Sequence, residues 1–122
     1  MIVAVCGGRD YRLTADDRAA LLGIHAQHGI SQLLHGDCRG ADRDAETWAR
    51  TLDIPTQAYE AAWELYGKAA GPIRGKNMVD DCDMLIVFPG GKGTQHAVSY
   101  AKKQGKVIRF MAGNAPVRPE VR

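Results

Sequence analysis

Short apolar, β-branched runs alternate along this chain with longer stretches whose apolar positions recur every three or four residues. Ile2-Val3-Ala4-Val5-Cys6, closed by Gly7-Gly8, has the pattern of a strand buried on both faces. Thr14 and Asp17 form a capping-box signature, and the Ala/Leu-rich stretch behind them predicts a first helix that ends at Gly29. Residues 30–35 predict a second strand, stopped by Gly36. Ala41, Ala45, Trp48, Ala49 and Leu52 then mark the apolar face of a second helix. Thr56 to Glu60 is a weaker run that suits an edge strand, and a loop carrying Trp63, Tyr66 and Gly67 follows. Gly71-Pro72 opens a third helix that runs to about Asp81, because proline is tolerated in a first turn. Met84 to Phe88 is a second strongly apolar strand and stops at Pro89-Gly90-Gly91-Lys92-Gly93-Thr94. Thr94 to Gln104 predicts the last helix, and Lys106 to Met111 the fifth strand.

Strands alternating with helices imply a parallel sheet, and right-handed crossovers limit its winding. The expected fold is α/β: a single Rossmann-like three-layer domain over residues 1–112, with a five-stranded parallel sheet in the order 3-2-1-4-5. Residues 113–122 are expected to be a flexible tail. That strand order reverses the chain's direction between strands 1 and 4, which puts a crevice at their carboxyl ends.

Composition narrows the function classes. The chain has 122 residues, too few for a second domain, and 45% are hydrophobic, enough for one core. Sixteen Lys and Arg against fourteen Asp and Glu leave a formal charge of +2, so no dominant field for nucleic acid or membrane is present. Cys6, Cys38 and Cys82 are odd in number and lack zinc-type spacing, which favours reduced thiols in the cytoplasm and no metal site. No apolar run reaches the length of a membrane span.

Candidate chemistry sits in glycine-bounded loops. Gly90-Gly91-Lys92-Gly93-Thr94 joins a buried strand to a helix, so bare backbone, free helix amides, a hydroxyl and a cation meet there, as an anion site requires. Its spacing is neither a Walker A loop nor a GxGxxG fingerprint. Gly7-Gly8-Arg9-Asp10 has the same placement after strand 1; Arg9 suits a phosphate, or pairs with Asp10 or another surface acid. Gly36-Asp37-Cys38-Arg39-Gly40-Ala41-Asp42 brings two carboxylates for ribose hydroxyls or acid–base work, although Asp42 equally suits a helix cap. Arg74, in the first turn of the third helix, is at the wrong end for a cation unless a ligand, Asp37 or Asp42 is its partner. Trp63 and Tyr66 suit packing or subunit contacts better than base stacking, and His25 with His28 has no further metal ligand. Cys38 as a nucleophile lacks a visible base.

Four blocks in this order, Gly7 to Tyr11, His35 to Asp42, Ala70 to Arg74 and Phe88 to Thr94, resemble the YspA-like branch of the SLOG superfamily of bacteria and phages. That superfamily includes the Lonely Guy phosphoribohydrolases and the DNA-processing protein A family. The resemblance implies a Rossmann-like fold, frequent dimerisation, and recognition of a nucleotide or nucleotide derivative by Gly7, Gly8, Arg9, Asp10, Gly36, Asp37, Arg39, Gly40, Asp42, Arg74 and Pro89 to Thr94. Lonely Guy enzymes continue the last block with acidic residues, whereas Thr94 is followed here by Gln95-His96-Ala97, so their catalytic glutamate has no counterpart. The branch follows its helix arginine with asparagine, and Gly75 stands in that place. The expected function is therefore binding of a nucleotide-derived small molecule as a sensor or sequestering module, without a cofactor. The alternative is an N-glycosidase acting on a nucleotide, with Asp37 and Asp42 as its acids; single-stranded nucleic acid is disfavoured by the balanced charge.

Overall fold

A computed structural model of the chain describes residues 1–111, so the expected tail at 113–122 lies outside the described residues. The strands β1 (Ile2–Cys6), β2 (Gln32–His35), β3 (Thr56–Ala58), β4 (Met84–Val87) and β5 (Val107–Phe110) form one parallel sheet in the order β3-β2-β1-β4-β5. This is the expected α/β, Rossmann-like arrangement. Both central strands, β1 and β4, are buried almost end to end.

The period of two along β1 divides the core. Val3 and Val5 face one layer with Leu33 and Ile86, where α1 (Ala15–His28) contributes Leu21 and Ile24 and α2 (Ala41–Thr51) contributes Ala45 and Trp48. Ala4 and Cys6 face the other layer with Leu34, Leu85 and Val87, covered by Met78 and Val79 of α4 (Ala70–Asp81) and Ala97 and Ala101 of α5 (Lys92–Lys103). Small residues on α5 let it lie close to the sheet beside α4.

The helix ends follow local chemistry. The Thr14 hydroxyl accepts the Asp17 amide while the Asp17 carboxylate accepts the Thr14 amide, both at 3.0 Å, completing the capping box. Gly29 ends α1 with a left-handed backbone, and the ring of His25 accepts the Ile30 amide at 3.0 Å, which gives this histidine a capping role.

Three elements differ from the sequence expectation. The segment carrying Trp63 and Tyr66 is not a plain loop but a single helical turn, α3 (Trp63–Tyr66), followed by a 3₁₀ turn at Gly67–Ala69 that leads directly into α4. Because α4 begins at Ala70, Arg74 is its fifth residue and no longer in the first turn, so the dipole argument for Arg74 lapses. The last helix starts two residues early, at Lys92, which moves Gly93 and Thr94 from the loop into its first turn. Glycine at 91 and 93 hid that start, since a glycine pair has low helix propensity.

Candidate functional site

The loops after β1, β2 and β4 meet at the carboxyl edge of the sheet, where a doubly wound fold places its ligands. The Gly8 amide donates to the Pro89 carbonyl at 2.7 Å, and the Ala41 amide approaches the Gly8 carbonyl at 3.3 Å. Contact this close tolerates no side chain at Gly7, Gly40 or Gly90, and a Cβ on Gly7 would lie 2.7 Å from that of Ala41. A Cβ on Gly90 would lie 2.8 Å from the Gly8 nitrogen. A Cβ on Gly40 would strike the backbone of Gly8 and Arg9, and Gly40 also holds a φ of +81°.

Beside this junction opens a cleft of about 790 Å³, within the range of ligand pockets. One wall is the start of α5, with Gly91, Gly93 and Thr94. The first backbone bond of that helix runs from the Gln95 amide to the Gly91 carbonyl at 3.0 Å, so the amides of Lys92, Gly93 and Thr94 lack intrahelical acceptors. Among the described residues no side chain caps them, and no acid occupies the first turn, which leaves the positive end of the helix without an opposing charge there. Thr94 is 9% exposed and lines the cleft, and among the described residues its hydroxyl has no hydrogen-bond partner.

The side chains around the cleft are unequal in charge. Arg9, Arg74, Lys76 and Lys103 line it with a single acid, Asp42. Arg9 is exposed and, among the described residues, forms no ion pair; Asp10 instead pairs with Arg39 at 3.0 Å. Arg74 is half-buried and donates to the Gly36 carbonyl at 3.1 Å, so it ties α4 to the loop after β2. Asp42 is buried, but the helix N-cap is Gly40; the Asp42 carboxylate accepts the Gly36 amide at 2.9 Å, with the Cys38 amide also bonded to it. Burial pushes its pKa up, against the opposing pull of those amides, His35 and Arg74.

Of the other expected site residues, Gly7, Gly8 and Gly36 line the cleft, whereas Gly40, Pro89 and Gly90 build the junction behind it. Lys92 is exposed on the first turn of α5. Asp37 and Arg39 lie apart, along an adjoining depression of about 470 Å³ that shares Arg9, Gly36, Cys38, Trp63 and Arg74 with the cleft. Asp37 pairs with Arg43 at 3.0 Å, so of the two acids expected to act together only Asp42 reaches the main cleft. Trp63 lines the cleft and Tyr66 does not.

Several contributors escaped the sequence reading. His96, Tyr100 and Lys103 share one side of α5 and line the cleft, and their spacing of four and three was the available signal. His35, fully buried, bonds Glu46 at 3.0 Å through Nε2 and accepts the Asp37 amide at 3.0 Å through Nδ1. Its place at the head of the His35-to-Asp42 block, closing a core strand, was its trace in the sequence. Among the described residues no three His, Cys, Asp or Glu side chains converge as a metal site, and no helix is long and apolar enough to cross a membrane.

The sequence model of the "YspA, cpYpsA-related SLOG family" matches residues 1–66, which carry the loops after β1 and β2. The chain is also similar to the Gene 61 protein of Mycobacterium phage D29, with 37% identity over 87 residues, covering 64% of this chain and 70% of that protein. A match over more than half of the chain, taking in the loops after β1 and β2, shows that this protein belongs to the YspA, cpYpsA-related SLOG family.

Proposed function

We propose that the cleft binds a nucleotide or nucleotide-derived small molecule, with a phosphate at the first turn of α5, and that the protein acts as a sensor or sequestering module. The observation that carries this reading is the set of amides at Lys92, Gly93 and Thr94, the Thr94 hydroxyl and the Arg9 side chain, which among the described residues are without partners. Arg9 closes on the phosphate as a mobile cation, Arg74 adds positive potential from α4, and Asp42 accepts a sugar hydroxyl at the floor. Gly7, Gly8, Gly36 and Gly91 give the ligand bare backbone to lie against. Ala97, buried at the cleft, offers no group for chemistry at the sugar. Family membership adds a homodimer to the proposal.

The test is a thermal-shift screen of nucleotides with inorganic phosphate as reference, followed by mass spectrometry of the ligand recovered from the complex. A ligand at about 100 times its Kd adds about 2.7 kcal/mol of stability, readily seen as a shift in Tm. Recovery of the intact ligand supports sensing. Absence of stabilisation by phosphate and by every nucleotide would refute the reading.

One observation favours an N-glycosidase as the second reading: Asp42 is a buried carboxylate with a raised pKa at the cleft floor, as expected of a group that stabilises or protonates a reacting sugar. On that reading a nucleoside monophosphate panel releases free base and Asp42→Asn abolishes the release. No base from any substrate at high protein concentration excludes it.

A further inference from the structure

We infer that Trp63 and the bare face of α4 form a second subsite of the same cleft, one that takes a planar aromatic ring, so that the ligand is recognised by its base as well as by its phosphate. This rests on the phosphate reading above and assigns the other end of the ligand.

Three observations converge on it. Trp63 keeps 53% of its surface exposed while lining the cleft, whereas the other tryptophan, Trp48, is 7% exposed in the core. An indole left half-open in a cavity wall is an available stacking surface for a base. The neighbouring wall is α4, where Gly71 and Gly75 lie one turn apart and both line the cleft. A Cβ on Gly71 would meet the Trp63 ring at 3.6 Å, so indole and helix backbone adjoin, and a Cβ on Gly75 would meet nothing within 4 Å. Glycine costs an exposed helix interior stability, and here it keeps space open that any other residue would occupy. The third observation is the Thr94 hydroxyl, nine-tenths buried on the wall of the same cleft, which among the described residues has no hydrogen-bond partner and gives the cavity a polar group to hold the ligand's phosphate. Leu65 and Tyr66, also exposed on α3, do not line the cleft, so the subsite uses Trp63 alone of that turn.

The experiment measures Kd values for AMP, GMP, CMP, UMP, ribose 5-phosphate and inorganic phosphate, with tryptophan emission as one readout. Trp48 is shielded in the core, so a change in emission on binding reports Trp63. The expected result is that at least one nucleotide quenches this emission and binds about tenfold or more tightly than ribose 5-phosphate. In Trp63→Ala, and in Gly75→Leu with its better helix former, that preference falls to about one, while circular dichroism shows the fold retained. Equal affinity for ribose 5-phosphate and all four nucleotides, with unmoved emission, overturns the aromatic subsite and leaves the phosphate reading intact. Absence of binding by every compound, inorganic phosphate included, overturns both.

Discussion

The amide of Gly8 donates to the carbonyl oxygen of Pro89 at 2.7 Å, joining the loop after β1 to the loop after β4 across the switch point of the sheet. The Gly8 N–H is therefore spent within the protein, and an anion beside this junction depends on the amides that open α5. The first loop contributes shape and Arg9, and the second contributes donors.

Gly90→Ala is expected to pry this junction apart. Its methyl group would collide with the Thr94 hydroxyl and lie 2.8 Å from the Gly8 nitrogen, too close for any Cβ, and the backbone on that side is held by β1. Overpacking of this kind costs about 1–3 kcal/mol, measurable by urea denaturation. Gly93→Ala is the control, because a Cβ there meets nothing within 4 Å and replaces glycine inside a helix. Stability unchanged in Gly90→Ala would show that the two loops do not need their close approach.

The two cleft arginines should separate binding from stability. Arg9 has no ion pair among the described residues, so Arg9→Ala is expected to leave the unfolding free energy within about 0.5 kcal/mol of the wild type. Phosphate or nucleotide affinity should fall about tenfold or more in the same variant, by loss of a charge-assisted hydrogen bond. Arg74→Ala also removes the 3.1 Å bond to the Gly36 carbonyl and one of the charges opposing Asp42, so it should lower affinity and cost about 1–2 kcal/mol. Denaturation and isothermal titration of both variants check this, and equal effects on stability would contradict the assignment.

Strand order was readable because the strand and helix runs are local signals that right-handed crossovers then arrange, and the short, polar Thr56–Ala58 run marks an edge. The meeting of the glycine loops at the carboxyl edge of the sheet was readable because punctuation after a buried strand is a local feature that the strand order then places. Pairings were not. Asp10 finds Arg39 rather than Arg9, and Asp42 reaches back to the Gly36 amide rather than capping its own helix, and both choices are made by tertiary placement. The turn at Trp63 was missed because four residues give too short a period to recognise, and the start of α5 because Gly91 and Gly93 mask it.

Asp44 should make the fold sensitive to acid. Its carboxylate accepts from Arg12 Nε at 2.8 Å and from the Leu13 amide at 3.0 Å, anchoring the segment before α1 to α2, and Arg12 holds its pKa below the ordinary value of 3.8. A lowered pKa contributes stability that is present above pH 3.8 and lost as the pH falls through the lower, native-state value. Asp42 has the opposite sign, because its raised pKa favours the native state when it is protonated. Asp44→Asn is therefore expected to cost about 1 kcal/mol at pH 7 and to flatten the loss of stability below about pH 4. Urea midpoints at pH 7 and pH 3 measure it, and an undiminished acid loss in the variant would assign that loss to other groups.

The three cysteines offer a readout of occupancy that needs no variant. All are free thiols. Cys6 and Cys82 are 8% and 2% exposed, and burial raises the pKa of both, that of Cys82 to about 11, so neither presents a thiolate to solvent near neutral pH. Cys38 is only half-buried and lines the cleft, with a weak contact to the Gly36 carbonyl at 3.6 Å. A thiol reagent at pH 8 is therefore expected to modify one cysteine in the native protein and three after denaturation, with peptide mass spectrometry placing the native adduct on Cys38. If the proposed nucleotide binds along the wall that Cys38 shares with Gly36 and Asp42, it should slow this modification about tenfold at saturation. Fast native labelling of Cys6 or Cys82 would contradict the packing, and labelling of Cys38 at an unchanged rate under a saturating ligand would place that ligand outside the cleft.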